Sequence, residues 1–375
     1  MKVYFHNKNN TNHGDLTIAS DPYPLIQYYY IKILFWEELL KKIKITIPMA
    51  GFGTRMRPHT WSKPKPLVAV AGKTFFDYVL GQFDSLPKTF DPEFVFIVGP
   101  NQQDQIEAHM QKFYPEKTFQ FVLQEEMLGQ SHALFQAREH LRDYPMLMAF
   151  SDTLIETDLS MLKDEELQAG VWVKPVPDPR RFGVAVIRDD DTVVELVEKP
   201  DSIENNLAMV GFYYFSNGSD LIKAIEEQME KNVTLKGEYF LADAVNLMLS
   251  HGVEMKVQRI NVWLDAGIPA ALLDTNRHLL EHGYANSGEC ECENLAIIPP
   301  VFIHPTAKIK SSVIGPHVSI GENCQIEDAI IRNSVLDADV EVRRAMMEES
   351  ILGKQSQVVG KIAKLNLGDN SAINN

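Results

Sequence analysis

Six isoleucines near the C-terminus recur at spacings of five or six residues: Ile303, Ile309, Ile314, Ile320, Ile326 and Ile331. Turn-prone residues stand between them, as in His304-Pro305, Gly315-Pro316 and Gly321-Glu322-Asn323. This period matches a parallel β-helix, in which each short strand supplies one face of a prism and the aliphatic side chains stack inside. An ordinary set of sandwich strands has no need of such regularity. The pattern runs on, less evenly, to about Gly360, which predicts a repeat domain over residues 301–363 and a tail over 364–375.

The residues before it are organised differently. Strands are predicted at Ile45–Pro48, Glu93–Val98, Phe119–Gln124 and Met146–Phe150, with helices at Phe75–Ser85, Gln105–Phe113 and Ser131–Leu141 between them. This alternation implies βαβ units and an α/β, Rossmann-like, mostly parallel sheet covered on both faces. Such sheets bind ligands at the carboxyl ends of their strands. Four strand-like runs from Val171 to Phe215 follow without long helices between them, which predicts some antiparallel pairing. Helices at Asp220–Lys231, Tyr239–Ser250 and Pro269–His282 complete a domain over residues 41–283, and the polar stretch 284–300 reads as a linker.

Composition narrows the function. The chain has 375 residues, 45% of them hydrophobic, and a formal net charge of −15. That balance excludes a nucleic-acid-binding surface, which needs clustered Lys and Arg. A nucleotide substrate is compatible with it, because a local cationic pocket suffices. Three cysteines, Cys290, Cys292 and Cys324, make neither a disulfide framework nor a zinc site, and they fit a reducing cytoplasm. No apolar run reaches membrane-spanning length. The apolar run Leu25–Trp36 lies well inside the chain and lacks a basic segment before it, so a signal peptide is a poor fit. Two readings of residues 1–40 stand side by side. Trp36-Glu37-Glu38 requires the codons TGG-GAR-GAR, whose purine-rich core is like a bacterial ribosome-binding site. Met1–Leu39 is then translated upstream sequence, absent from the natural protein; otherwise it is a genuine extension. The intact mass of protein from the native host separates the two.

The chemistry concentrates at Met49-Ala50-Gly51-Phe52-Gly53-Thr54-Arg55-Met56-Arg57-Pro58 and Lys63-Pro64-Lys65-Pro66-Leu67, directly after the first strand. Gly51 and Gly53 let backbone N–H groups approach a triphosphate. Arg55 can grip phosphate oxygens in a fork, and Lys65 offers a compact charge. The motif is neither a Walker A loop nor a dinucleotide fingerprint. It resembles the signature of the sugar nucleotidylyltransferases, the NDP-sugar pyrophosphorylases, and the resemblance extends from about Lys44 to Gly360.

The resemblance implies roles in order along the chain. Gly51, Gly53, Thr54 and Arg55 hold the nucleotide phosphates, and Lys65 stabilises the transferring α-phosphate. Gln124 and the backbone at Gly129 read the nucleobase, with Gln124 favouring thymidine or uridine; His132 reads as a helix-start residue without chemistry. Asp152 in Ser151-Asp152-Thr153 and Asp265 in Trp263-Leu264-Asp265-Ala266-Gly267 bind Mg2+, although a strand-end Asp is often only a helix cap. Gly183, Glu198 and Lys199 bind the sugar phosphate, although Glu-Lys-Pro alone is usually an exposed turn. Departures from the family pattern are Ser151 for Gly, Ile268 for Thr, and Met209 before Gly211 where relatives carry Asn, which leaves the sugar open.

The implied fold adds a left-handed β-helix, and the implied reaction joins dTTP or UTP to glucose 1-phosphate. Mannose-1-phosphate guanylyltransferase is the alternative. A catalytically silent relative is disfavoured because Arg55, Lys65, Asp152 and Asp265 are all retained. An acyltransferase seated on the β-helix is disfavoured because His304 and His317 fall at prism turns. The repeats invite a homo-oligomer.

Overall fold

The computed structural model describes residues 40–286 and 291–360. The proposed extension and tail, and Cys290, lie outside the described residues apart from residue 40.

Lys41–Pro48 is a central strand whose residues 43–47 are all buried, as a strand covered on both faces must be. It belongs to a nine-stranded mixed sheet. One side holds Met146–Ala149, Lys41–Pro48, Phe90–Val98 and Thr118–Leu123, with parallel pairing. Alternation along Phe90–Val98 sends Phe94 and Phe96 into one hydrophobic layer and Val95 and Ile97 into the other. The helices Phe75–Gly81 and Gln103–Phe113 supply Phe76, Leu80, Ile106 and Met110 to the first layer, while Leu134, Leu221, Ile225 and Val245 fill the second.

The other side is antiparallel and hinges on Leu207–Phe215. Phe212–Phe215 pairs with Met146–Ala149, whereas Ala208 pairs with Val184 of the hairpin Gly183–Ile187 and Val193–Glu198. The register slips between Met209 and Tyr213. Gly211 sits in that slip at φ 78°, and a Cβ there would come within 2.2 Å of the Phe150 ring. Only glycine allows the strand to change neighbours at this point. Met255–Arg259 adds a further strand beside Ala169–Pro175, where the sequence suggested none.

All six periodic isoleucines are buried, at most 2% exposed. Their strands pair in parallel, turn upon turn: Ile309 faces Ile326, Ile326 faces Val342, and Val342 faces Val358. The stretch read as linker contains a strand, Glu291–Ile297, that pairs in parallel with Lys308–Ile314. Its polar composition hides it, but Leu295 and Ile297 pack on the prism core. Cys292 is disulfide-bonded, a departure from the expectation of free thiols; Cys324 is free and buried.

The β-helix docks on the helix Pro269–Leu279. Asn276, fully buried, accepts from the Ala71 N–H and the Ser319 hydroxyl and donates to the His317 carbonyl. Lys63 pairs with Asp337 across the same junction. Among the described residues no helix is long and apolar enough to cross a membrane.

Candidate active site

The carboxyl ends of Lys41–Pro48 and Met146–Ala149 open into a cavity of about 780 Å³. Eleven of the twelve residues expected at the site line it: Gly51, Gly53, Thr54, Arg55, Lys65, Gln124, Gly129, Asp152, Gly183, Glu198 and Asp265. Lys199 does not. Its ammonium lies 4.6 Å from the centre of the Phe240 ring and 3.7 Å from Glu198 Oε1.

The glycine loop has no regular structure to hold it and is pinned by side chains. Thr60 Oγ1 donates to the Gly53 carbonyl at 2.8 Å. Gly53 has φ 59°, and a Cβ would sit 3.1 Å from both Thr60 and Lys65. Gln102, which the sequence reading passed over, donates its amide to the Gly51 carbonyl at 3.3 Å and accepts from the Gly99 N–H at 2.8 Å. Gln102 thereby ties the Gly51 carbonyl to the start of the helix Gln103–Phe113. A glutamine at the foot of a helix gives no sequence signal for such a task.

Lys65 pairs with Asp152. Asp152 and Asp265 are brought together by a two-stranded ribbon in which Asp265 faces Thr153 and the Ala266 N–H donates to the Asp152 carbonyl at 3.1 Å. Burial first, and then repulsion from Asp152, raise the Asp265 pKa; Lys65, the Gly267 N–H and Arg55 oppose the shift. Gly267 N–H meets Asp265 Oδ1 at 2.6 Å. Two hard oxygen donors that repel each other in a partly closed site suit a small divalent cation. Magnesium commonly takes one or two protein carboxylates and fills its remaining positions with substrate phosphate and water. Among the described residues no cluster of three or more metal-ligating side chains forms.

At the opposite end, Gly183 faces Glu198 across the hairpin. A Cβ on Gly183 would lie 2.2 Å from the Met209 methyl and 2.8 Å from Glu198 Oε2. Burial raises the Glu198 pKa, with Lys199 opposing it. Trp263 stacks edge-on to Phe182 with ring centres 5.0 Å apart, and its Nε1–H is buried without a partner among the described residues.

Gln124 is 4% exposed and follows the strand Thr118–Leu123. Gly129, at φ 103°, packs so tightly on Tyr239 that a Cβ would come within 2.5 Å of its carbonyl oxygen. His304 and His317 lie away from this cavity. His317 instead holds Glu281 at 2.8 Å in the junction between the two parts, and His304 meets Thr306 at 2.9 Å.

Comparison with known proteins agrees with this architecture. The family model described as nucleotidyl transferase matches residues 46–282, and the GMPPB C-terminal domain matches 297–374. A glucose-1-phosphate thymidylyltransferase of Streptomyces antibioticus is 30% identical over 365 residues, covering 88% of this chain and 99% of that protein. A low-salt glycan biosynthesis nucleotidyltransferase of Haloferax volcanii is 28% identical over 82% of this chain and 91% of its own length. A crystal structure described as a glucose-1-phosphate thymidylyltransferase of Bacillus anthracis aligns with a TM-score of 0.54 at 23% identity, over 62% of this chain and 94% of that one; it bears on the fold alone.

Proposed function

The chain belongs to the nucleotidyl transferase family, in its sugar-1-phosphate branch, and from that premise we propose that it joins dTTP or UTP to glucose 1-phosphate and releases pyrophosphate. The observation that carries the reading is the convergence of Arg55, Lys65, Asp152 and Asp265 on one cavity that also reaches Gln124 and Glu198.

The sugar phosphate supplies its own nucleophile. Its second pKa is about 6, so at neutral pH it is mostly a dianion and needs no base. One of its oxygens bonds to the α-phosphorus while the bond from that phosphorus to the bridging oxygen breaks, and the electron pair leaves with pyrophosphate. The obstacle is repulsion between anions and their alignment in line. Lys65 answers the charge on the α-phosphate, exchanging its contact with Asp152 for the substrate. Arg55, on the glycine loop, answers the charge on the departing pyrophosphate. Asp152 and Asp265 would hold Mg2+, which supplies neutralisation of the phosphate oxygens.

The sugar lies against Gly183 and Glu198. With no side chain on Gly183 there is room beside it for Met209 and the Glu198 carboxylate, and Glu198 accepts from the sugar hydroxyls. Lys199 reaches the sugar phosphate only by leaving Phe240, so its part is the smaller. The β-helix serves as a docking platform and mediates self-association, which light scattering tests.

A matrix of nucleoside triphosphates against glucose, mannose and amino-sugar 1-phosphates, read by pyrophosphate release, tests the reading. Fastest release with a pyrimidine triphosphate and glucose 1-phosphate supports it. Release only with GTP and mannose 1-phosphate replaces the substrates, and release with no pair removes the activity.

A further inference from the structure

Gln124 is a buried amide on the wall of the cavity, and its neighbours dictate its orientation. Its Nε2 lies 3.3 Å from the Gly129 carbonyl and 3.0 Å from His132 Nδ1. A carbonyl oxygen accepts and cannot donate, so the amide must turn its NH2 toward Gly129. The second N–H then points at His132 Nδ1. A neutral imidazole carries one proton, so with Nδ1 accepting, the proton resides on Nε2. The Gln136 amide nitrogen lies 2.9 Å from Nε2, one turn along the same helix; a neutral ring cannot accept at both nitrogens, so the Gln136 amide must turn its oxygen to that N–H. Burial lowers the His132 pKa, with Glu126 opposing, which favours the neutral form this arrangement needs.

Both Gln124 hydrogens are thereby spent on the protein. What remains for the cavity is Oε1, for which the structure records no donor among the described residues. The adjacent Gln130 also lines the cavity and carries a buried Oε1 without a partner among the described residues. This wall therefore offers acceptors and calls for a base edge that donates.

We propose that His132 is a positioning residue for nucleobase choice: by accepting from Gln124 it locks the amide oxygen toward the base, so the site takes the imide edge of uracil or thymine and rejects cytosine. The ring N3 of uracil and thymine bears a hydrogen, whereas N3 of cytosine carries a lone pair that would face the lone pairs of Oε1. The two bases have the same size, so shape cannot separate them and the hydrogen-bond polarity must. This rests on the reading above that Gln124 faces the base.

The test is the ratio of kcat/KM for UTP to that for CTP, measured on full-length protein with one sugar 1-phosphate. A ratio taken within one preparation does not depend on how much of the protein is folded. The parent enzyme is expected to favour UTP by on the order of 100-fold or more, because a buried acceptor is left facing an acceptor. His132→Lys, a donor in place of an acceptor, is expected to lower the ratio at least about tenfold, and His132→Ala by less. His132→Gln, whose amide oxygen can accept from Gln124, keeps the ratio within about threefold of the parent. A ratio near one in the parent, or one that His132→Lys leaves unchanged, overturns the proposal. Turnover with GTP but not UTP overturns it while leaving nucleotidyl transfer standing; no turnover with any triphosphate sinks the underlying reading instead.

Discussion

The two parts of the molecule spend their residues in opposite ways. In the β-helix most buried positions are aliphatic and periodic: Ile303, Ile320 and Leu336 stack in successive turns, and so do Ile309, Ile326 and Val342. Each turn repeats the one before, and stability is close to a sum of neighbouring contacts. The catalytic part also has an aliphatic and aromatic core, but its cavity is lined by unlike charges and glycines drawn from loops far apart in sequence. Lys65 meets Asp152, and Asp152 lies beside Asp265, across gaps of 87 and 113 residues. The lesson is a separation of duties. Losses in the prism should appear as stability, and losses at the cavity as rate.

The sharpest way to break that contrast is at the charges. Lys65→Ala and Asp152→Ala are each expected to reduce turnover on the order of 10²–10³-fold, the usual cost of one preorganised electrostatic contact, while the melting temperature changes little. Near-normal pyrophosphate release from either variant would take that residue out of the reaction. Gly183→Ala comes next. The new methyl drives into Met209 and Glu198, so the KM for the sugar phosphate should rise about tenfold or more with the nucleotide KM little changed. If both constants rise together, Gly183 does not belong to the sugar end.

Ile320→Ala probes the other side of the comparison. Its side chain is fully buried, and the cavity left behind should cost roughly 2–5 kcal/mol in chemical denaturation. Turnover per folded molecule should stay close to the parent value; a large fall in kcat at full folding would show that the prism takes part in catalysis. Asp337→Asn has the smallest expected effect. It breaks the tie between Lys63, two residues from Lys65, and the β-helix. The loss should be about 1–3 kcal/mol of stability, with turnover down only a few-fold. Swapping the charges, Lys63→Asp with Asp337→Lys, should restore part of it if the pairing itself matters.

Legibility followed the same division. The prism could be read because its core is made by residues five or six apart, and burial of all six isoleucines bears the period out. The first turn was missed, since Glu291–Ile297 is polar enough to pass for a linker until Lys308–Ile314 pairs with it. The strands and helices of the catalytic part were recognisable within a few residues. The strands Met255–Arg259, Thr153–Ile155 and Trp263–Asp265 were not, because they are short or half-polar runs. Among site residues, Gly51, Gly53 and Arg55 were visible through local spacing. Gln102 was invisible, and His132 was read as a helix-start residue without chemistry, because their partners, Gly51 and Gln124, are fixed only by the fold. Lys199 was placed by its neighbours in sequence, yet its side chain turns to Phe240.

By itself the sequence determined the periods: an aliphatic repeat that can close only as a stacked prism, alternating strands and helices, and a glycine-rich loop with an arginine and a lysine at its end. Those signals survive because they depend on residues close together along the chain. Tertiary structure alone decided which carboxylates share a lysine, which way the Gln124 amide faces, and where the prism touches the catalytic loop. These are contacts between distant segments, set by packing and hydrogen-bond geometry in three dimensions, and no local pattern encodes them.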